Sequence, residues 1–181
     1  MILTKPALEE VSGYLGVGSL ELLGAFFIVD GATNFQPVAE SVFKTTTWTL
    51  IATVPLLVIS YVLGLVSSLG AEAAINRIVR PALTAELFAG VSTSGNELLV
   101  QRYADVERHT RLLHGCALAF LFLALGCWSE VRMLGEFGFV GYLCLAGGLL
   151  LSILCPLLAS RLQHQLVPFI EAVRARSRPS A

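Results

Sequence analysis

The chain has 181 residues and a formal net charge of −1; 55% of its residues are hydrophobic and only 14% are charged. Soluble domains carry about 25% charged residues, and here the charges stand in blocks between long apolar runs. The net charge gives no global electrostatic attraction to DNA or RNA duplexes, and from the length we expect no separate catalytic domain of typical size. We therefore expect an all-α, polytopic integral membrane protein with three or four transmembrane helices and a helical cytosolic segment.

Residues 1–69 are predicted to form an N-terminal membrane region with two helices. The segment 11–29 is long enough to span a bilayer, but Glu21 stands near its middle, where a carboxylate is costly. We expect a helix embedded in the membrane, and a helix lying at the interface is the alternative. The segment 46–69 is a longer apolar run, and it predicts a transmembrane helix.

Two stripes of small or polar residues follow the helix predicted at 46–69. The first half carries a threonine face formed by Thr46, Thr49 and Thr53, and the second half carries a close-packing stripe formed by Ser60, Gly64 and Ser68. Small residues four apart let helix backbones approach each other. The threonines either hydrogen-bond within the protein or line a water-filled path. With Glu21, they are the candidate pore or gating residues.

Residues 70–111 are predicted to form a cytosolic helical segment. Ser94 and Glu97 have the spacing of a capping box, and Glu107 with Arg111 is a four-residue ion pair, so one helix is expected from about 96 to 128. The segment also carries five arginines that can clamp a phosphate-bearing ligand or simply flank membrane spans. These candidate ligand-binding residues are Arg77, Arg80, Arg102, Arg108 and Arg111.

Residues 112–160 are predicted to form a transmembrane hairpin. The run 137–160 contains no charged residue and would reach about 36 Å as a helix, enough to cross a bilayer. Because the connection 129–136 is short, the run 112–128 must be its antiparallel neighbour. A second close-packing stripe is expected at Cys144, Gly148 and Ser152.

Four cysteines and one histidine lie in this hairpin. If the turn is centred in 129–136, Cys127 and Cys144 differ in height by about 9 Å, too far for a disulfide. We therefore expect all four thiols to be small buried hydrophobic side chains, including Cys116 and Cys155. His114 stands just inside the apolar boundary, where it is either an interfacial histidine or part of a proton relay.

Residues 161–181 form a basic tail with Arg174, Arg176 and Arg178. Lysine and arginine are concentrated in this tail and in 70–111, and positive residues favour the cytosolic side of a membrane. We therefore expect a bacterial inner-membrane protein with both segments in the cytosol. With four spans the N-terminus is cytosolic as well, and with three it is on the outside.

Motifs of catalysis are missing from the sequence. It has no H-E-x-x-H, no phosphate-binding glycine loop and no clustered histidines, so neither a metal nor another cofactor is expected, and we expect no enzyme. A small lipid-modifying enzyme would have to use other polar residues of the cytosolic segment. The candidates would be Ser92, Ser94, Glu97 and His109.

The stretches 61–70 and 102–122 resemble a group of small bacterial multi-pass membrane proteins. Some of these are membrane effectors of antiphage systems of the Hailong type, paired with a nucleotidyltransferase that makes a nucleotide signal. The resemblance rests on the residues at which the helices begin and end. It implies a nucleotide signal or a cytosolic nucleotidyltransferase as partner, and membrane depolarisation during phage infection as the output.

Three features together predict a pore. They are the small-residue stripes, the embedded carboxylate, and an arginine-bearing helix that continues into a membrane span. One protomer has too few helices for a channel of its own, so we expect a homo-oligomer in the lipid bilayer, gated through its cytosolic helical segment. The alternative is a membrane scaffold that does not conduct and that recruits a cytosolic partner through 70–111.

Overall fold

The structure is a computed structural model that describes residues 5–35, 37, 40, 46–78, 85–92, 96–133 and 138–176. It contains five helices with defined ends, and the expected all-α class is confirmed for this part of the chain. They are α1 (Lys5–Thr33), α2 (Thr46–Ile78), α3 (Ala85–Ser92), α4 (Glu97–Met133) and α5 (Gly138–Arg176).

Four of these helices are long and apolar enough to cross a membrane. The candidate spans are Leu8–Thr33, Ala52–Ile78, Glu97–Arg132 and Gly138–Ala172. The outward faces of α2 and α5 are rich in exposed aliphatic side chains, a surface that suits lipid and not water. Among them are Val54, Val58, Val62 and Val66 on α2, and Leu143, Leu150, Leu154 and Leu158 on α5. These features suggest a membrane protein.

Every long helix extends beyond the run from which it was predicted. The helix expected at 11–29 is Lys5–Thr33, and the helix expected at 46–69 continues to Ile78. The run 137–160 begins a helix that continues through Pro156 and Pro168 to Arg176. Charge marks where an apolar run stops, but it does not stop a helix, because charged residues are good helix formers.

The start of α4 is capped differently from the sequence prediction. The Asn96 side-chain oxygen accepts a hydrogen bond from the backbone N–H of Leu99 at 3.2 Å, so Asn96 is the N-cap. Ser94, the predicted cap, lies outside the described residues. The helix was expected at 96–128, but it continues to Met133.

The helix α4 is the centre of the bundle and packs against α1, α2 and α5. It runs parallel to α1, because Glu10 meets Arg108 at one end and Gly31 meets Ser129 at the other. It runs antiparallel to α5, which follows after four residues. It is also antiparallel to α2. Arg111 pairs with Glu72, and Gly115, which is one turn later on α4, contacts Ser68, which is one turn earlier on α2.

Glycine brings the backbones of α1 and α2 into direct contact. A Cβ atom on Gly18 would overlap the carbonyl oxygen of Ser60, and one on Gly64 would overlap the carbonyl oxygen of Tyr14. A similar contact joins α1 to α4, where a Cβ on Gly24 would lie 2.6 Å from the backbone of Phe122. Any side chain at these positions would force the helices apart.

A small apolar cluster ties the end of α5 to α3 and to the start of α4. Its members are Val91, Leu99, Tyr103, Leu166 and Ile170, all of them buried. The cluster lies beyond the run 137–160, in the part of α5 predicted from sequence as the beginning of a basic tail. This end of the bundle therefore has a core of its own.

Candidate functional site

Ion pairs join three helices at the end of the bundle where α4 begins. Arg108 contacts Glu10 of α1 at 3.6 Å and Asp105 of its own helix at 3.7 Å. Arg111 donates through Nε to Glu72 of α2 at 2.9 Å and also reaches Glu107 at 3.3 Å. The predicted pair Glu107–Arg111 is thereby confirmed. We call Glu10, Glu72, Arg108 and Arg111 the arginine latch.

Polar side chains continue from the latch into the bundle. Tyr14, Ser68, Thr110 and His114 are all buried, and they come from α1, α2 and α4. The Tyr14 ring packs edge-on against Tyr61 of α2 with ring centroids 6.3 Å apart. In the described part of the chain, the Ser68 hydroxyl and Nδ1 of His114 have no hydrogen-bond partner. A buried polar atom of this kind costs free energy unless something else pairs with it.

The five candidate ligand-binding arginines lie in different surroundings. Arg108 and Arg111 belong to the latch and are bound to carboxylates. Arg77 and Arg102 are exposed, and Arg80 lies outside the described residues. A phosphate-bearing ligand would therefore have to use the exposed arginines or compete with the acids of the latch.

Arg102 borders a groove at the start of α4. The groove has a volume of about 310 Å³ and is lined by Arg102, Asp105, Val106 and His109, with Leu162 of α5 on the other side. Leu98, one turn before Arg102, is 75% exposed. Arginine is enriched at protein interfaces, and Leu98 adds exposed apolar area near this groove.

Glu21 lies inside the protomer and not on its outer surface. Its side chain is 4% exposed, and it stands between the close contacts of Gly18 and Gly24. Ser67 of α2 faces it, but neither carboxylate oxygen meets hydrogen-bond geometry in the described part of the chain. An ionisable group so enclosed in an apolar bundle is costly, and such groups are usually functional.

The threonine candidates begin α2. Thr53 lies on the exposed face of the helix. Thr46 and Thr49 belong to the same helix, but their side chains lie outside the described part of the structure. Of the three candidate threonines, the structure therefore describes the side chain of Thr53.

The two predicted packing stripes differ in burial. Ser60, Gly64 and Ser68 are all buried, and they face α1 and α4. On α5, Gly148 is buried against Phe120 and Ala124, whereas Cys144 is exposed and Ser152 is half-buried.

Two acidic residues at the opposite end of the bundle were not singled out from sequence. Asp30 and Glu130 are each 1% exposed. Glu130 was assigned to the connection 129–136, which is wrong, because α4 continues to Met133. Beyond it, the Arg132 guanidinium lies 5.1 Å from the centre of the Trp128 ring. The sequence does contain a signal for Glu130: it follows the apolar run 112–128 closely enough to be part of the same helix.

The cysteines of α4 and α5 lie in two facing pairs. The helix ends at Met133 and Gly138 put Cys127 and Cys144 at equal distances from the turn, and both line one cavity of about 100 Å³ with Glu130. The predicted 9 Å offset is therefore wrong. Cys116 and Cys155 also face each other, and all four thiols are free. Cys127 and Cys155 are buried as expected, whereas Cys116 is half-buried and Cys144 is exposed.

A larger pocket opens between α2 and α5, with α4 behind it. Its volume is about 340 Å³. Its polar lining consists of Asn76, His114, Ser152, Ser160 and Gln163, and its apolar walls include Ile153 and Leu157. The pocket lies beside the Glu72–Arg111 pair, at the level where the apolar part of the bundle begins.

Two of the residues named for a lipid-modifying enzyme, Ser92 and His109, hydrogen-bond backbone carbonyls of their own helices. The Ser92 hydroxyl donates to the carbonyl of Ala89, and the His109 ring bonds the carbonyl of Asp105. Ser94 lies outside the described residues. Within the described ranges, no three histidine, cysteine or acidic side chains come together as a metal site requires.

The site thus belongs to a helical bundle with four candidate membrane spans, a buried carboxyl in its middle and an ion-paired latch at one end. No protein-family model, no curated protein and no solved structure matches the chain.

Proposed function

We propose that the protein forms a homo-oligomeric pore in a membrane and that the arginine latch controls its opening. The observation that carries this proposal is the continuity of α4, which bears Arg108 and Arg111 near its start and crosses the apolar bundle without a break. A ligand or partner that binds one latch state more tightly than the other would shift the position of α4 in the bundle.

The conducting path would run between protomers. The contact between Gly18 and Gly64 leaves no space for water where α1 crosses α2. Thr53 lies on the outward face of α2, where such a path would run, and we keep Thr46 and Thr49 as candidates with it. Glu21 would act in gating, because it meets water only when α1 separates from its neighbours.

We further propose that the protein lies in the bacterial inner membrane with 70–111 and the end of α5 in the cytosol. The excess of lysine and arginine in these segments supports that orientation. The resemblance to Hailong-type effectors adds a nucleotide signal or a nucleotidyltransferase partner, and it adds membrane depolarisation in antiphage defence as the output.

Ion flux through liposomes that contain the purified protein tests the pore. Glu72→Gln weakens the hold of α2 on Arg111, so we expect a higher basal flux than in wild type. Glu171→Gln is the matched control, because Glu171 is an exposed acid near the end of α5. Vesicles that stay sealed with both proteins, under every nucleotide tested, would contradict the proposal.

A non-conducting scaffold is the second candidate, and the groove beside Arg102 favours it. In that case Leu98→Ser together with Arg102→Ala would abolish recruitment of a cytosolic partner, and the liposomes would be sealed with or without the change. Flux that responds to the latch, with recruitment unaffected by these substitutions, would reject the scaffold.

A further inference from the structure

The pocket between α2 and α5 has the size and the chemistry of a ligand site. Its volume of about 340 Å³ falls within the range of about 300–1,000 Å³ that is usual for small-molecule sites. Polar and apolar side chains both line it, and none of its lining residues is an acid, a lysine or an arginine. An occupant must therefore be amphipathic, and its polar part need not carry a charge.

His114 gives the pocket a buried polar wall. The side chain is 4% exposed, it lines the pocket, and its Nδ1 atom has no hydrogen-bond partner in the described part of the chain. A neutral imidazole has one N–H donor and one acceptor nitrogen. A buried nitrogen left unpaired is costly. Because Nδ1 is itself enclosed, the ring would turn toward the pocket to pair with a molecule there, and that pairing would remove the cost.

The depth of the pocket indicates which molecule this is. Arg111, three residues before His114, is ion-paired and marks the polar level, whereas the apolar run of α4 begins at Leu112. His114 thus stands at the boundary between head groups and acyl chains, where the ester carbonyls of a phospholipid lie. From Gln163 to Ser152 the pocket extends about 16 Å along α5, enough for a length of acyl chain.

We propose that this pocket binds one membrane phospholipid through its glycerol-ester region. The ester carbonyls accept hydrogen bonds from His114, Asn76 and Ser160, and an acyl chain lies against Ile153 and Leu157. Because α2 and α5 make little direct contact with each other, the lipid joins two helices that otherwise meet mainly through α4.

The proposal predicts that the head-group charge matters little. Glu72 is an acid that interacts electrostatically with His114, and it is already paired with Arg111. The pocket therefore recognises carbonyl groups and a chain, which all diacyl phospholipids share. This expectation does not depend on whether the protein conducts ions.

Photolabelling of the full chain in lipid nanodiscs tests the site. The probe is a phosphatidylcholine that carries a photoactivatable diazirine in one acyl chain, and the labelled residues are mapped by mass spectrometry. We expect labels on 152–163 of α5. Labels that are spread evenly over the outward faces of α2 and α5 would overturn the proposal.

Variants then separate specific binding from general contact with lipid. His114→Leu removes the donor, and the loss of one hydrogen bond should lower labelling about fivefold or more. Ser152→Leu fills the pocket, and we expect a decrease of at least the same size. Ala146→Leu is the matched control, because it adds the same bulk to an exposed position of α5 outside the pocket. Equal labelling in all three overturns the proposal.

A conservative variant and a competition complete the experiment. His114→Gln keeps an N–H donor, so the folded variant should label like wild type, and loss of labelling would count against the proposed hydrogen bond even if the leucine variants fail to fold. Unlabelled phosphatidylcholine and phosphatidylglycerol should compete equally. Competition by an isoprenoid quinone but not by phospholipid would assign the pocket to a different ligand and overturn the proposal.

Discussion

Two helices, α1 and α5, pack along α4 in different ways. The helix α1 meets it through backbone contacts at Gly24 and Gly31, and it carries buried carboxyls. The helix α5 has one close contact at Gly148 and exposes most of its aliphatic side chains. The helix α1 is therefore held mainly by backbone contacts, whereas α5 is held mainly by side chains, which can repack. Separating α1 from the bundle breaks several backbone contacts, whereas α5 has its close backbone contact at Gly148, against the Phe120 carbonyl oxygen.

The largest expected effect on the stability of the whole bundle comes from filling a glycine contact of α1. Gly18→Ala puts a methyl group into the backbone of α2, and overpacking costs about 1–3 kcal/mol or more. Thermal unfolding in detergent, followed by size-exclusion chromatography, should show a clear loss of stability. Gly16→Ala is the matched control, because nothing surrounds that position; it should be neutral or should stabilise by up to about 1 kcal/mol. Equal effects at both positions would remove the distinction between the helices.

The second effect concerns what holds the end of α5. Ile170→Ala removes a buried side chain from the cluster with Leu99 and Leu166, and such truncations cost about 2–5 kcal/mol. Because the cluster lies at one end, we expect local opening, measured as faster hydrogen exchange over 161–172, with the rest of the bundle unchanged. Phe169→Ala, at an exposed neighbour, is the control. An effect of similar size from Phe169→Ala would show that the cluster does not anchor the helix.

The third effect measures the latch. Glu72→Gln replaces a half-buried ion pair by a weaker hydrogen bond, and we expect a loss of about 1–2 kcal/mol in unfolding free energy. A double-mutant cycle with Arg111→Met isolates the pair. The coupling energy should be smaller at high salt. A coupling energy near zero would mean that the latch does not hold α2 to α4.

The smallest effect on stability is expected from the cysteine pairs, which instead test the register of α5. With the other two cysteines changed to alanine, Cys127 and Cys144 should be joined by a short bifunctional thiol reagent. Cys116 and Cys144 form the control pair, because they differ in height by about 16 Å in the antiparallel arrangement. A protease site inserted between α4 and α5 makes the cross-link visible on a gel. Cross-linking of the control pair would contradict the register.

The sequence predicts the long helices well, because an apolar run of about twenty residues has few other stable structures. It predicts their ends poorly. The helix α2 passes its apolar run by nine residues to Ile78, and α5 extends to Arg176, since nothing in the charged residues that follow breaks a helix.

Contacts between helices were harder to predict than the helices themselves. The pair Glu107–Arg111 follows from spacing on one helix, but Glu10–Arg108 and Glu72–Arg111 join helices whose relative register no periodicity encodes. The predicted height of Cys127 relative to Cys144 is wrong for a different reason. The predicted turn is too early in the chain, because α4 continues to Met133. Glu21 is predicted from the sequence because a carboxyl in an apolar run is visible there. Its enclosure is a tertiary feature, because it depends on α2 packing at Gly18 and α4 packing at Gly24.

The parallel packing of α1 on α4 has a consequence for biosynthesis. The surface that receives Gly24 lies at Phe122, roughly a hundred residues later in the chain. At translation rates of about 5–20 residues per second, α1 leaves the ribosome about 5–20 seconds before that partner exists. During this interval α2 can cover Glu21 on the side of Ser67, but the side that later packs on α4 has no protein to shield it. We therefore expect nascent α1 to wait beside the insertion machinery or a chaperone until α4 arrives, and chains truncated before α4 to be preferred targets of membrane proteases.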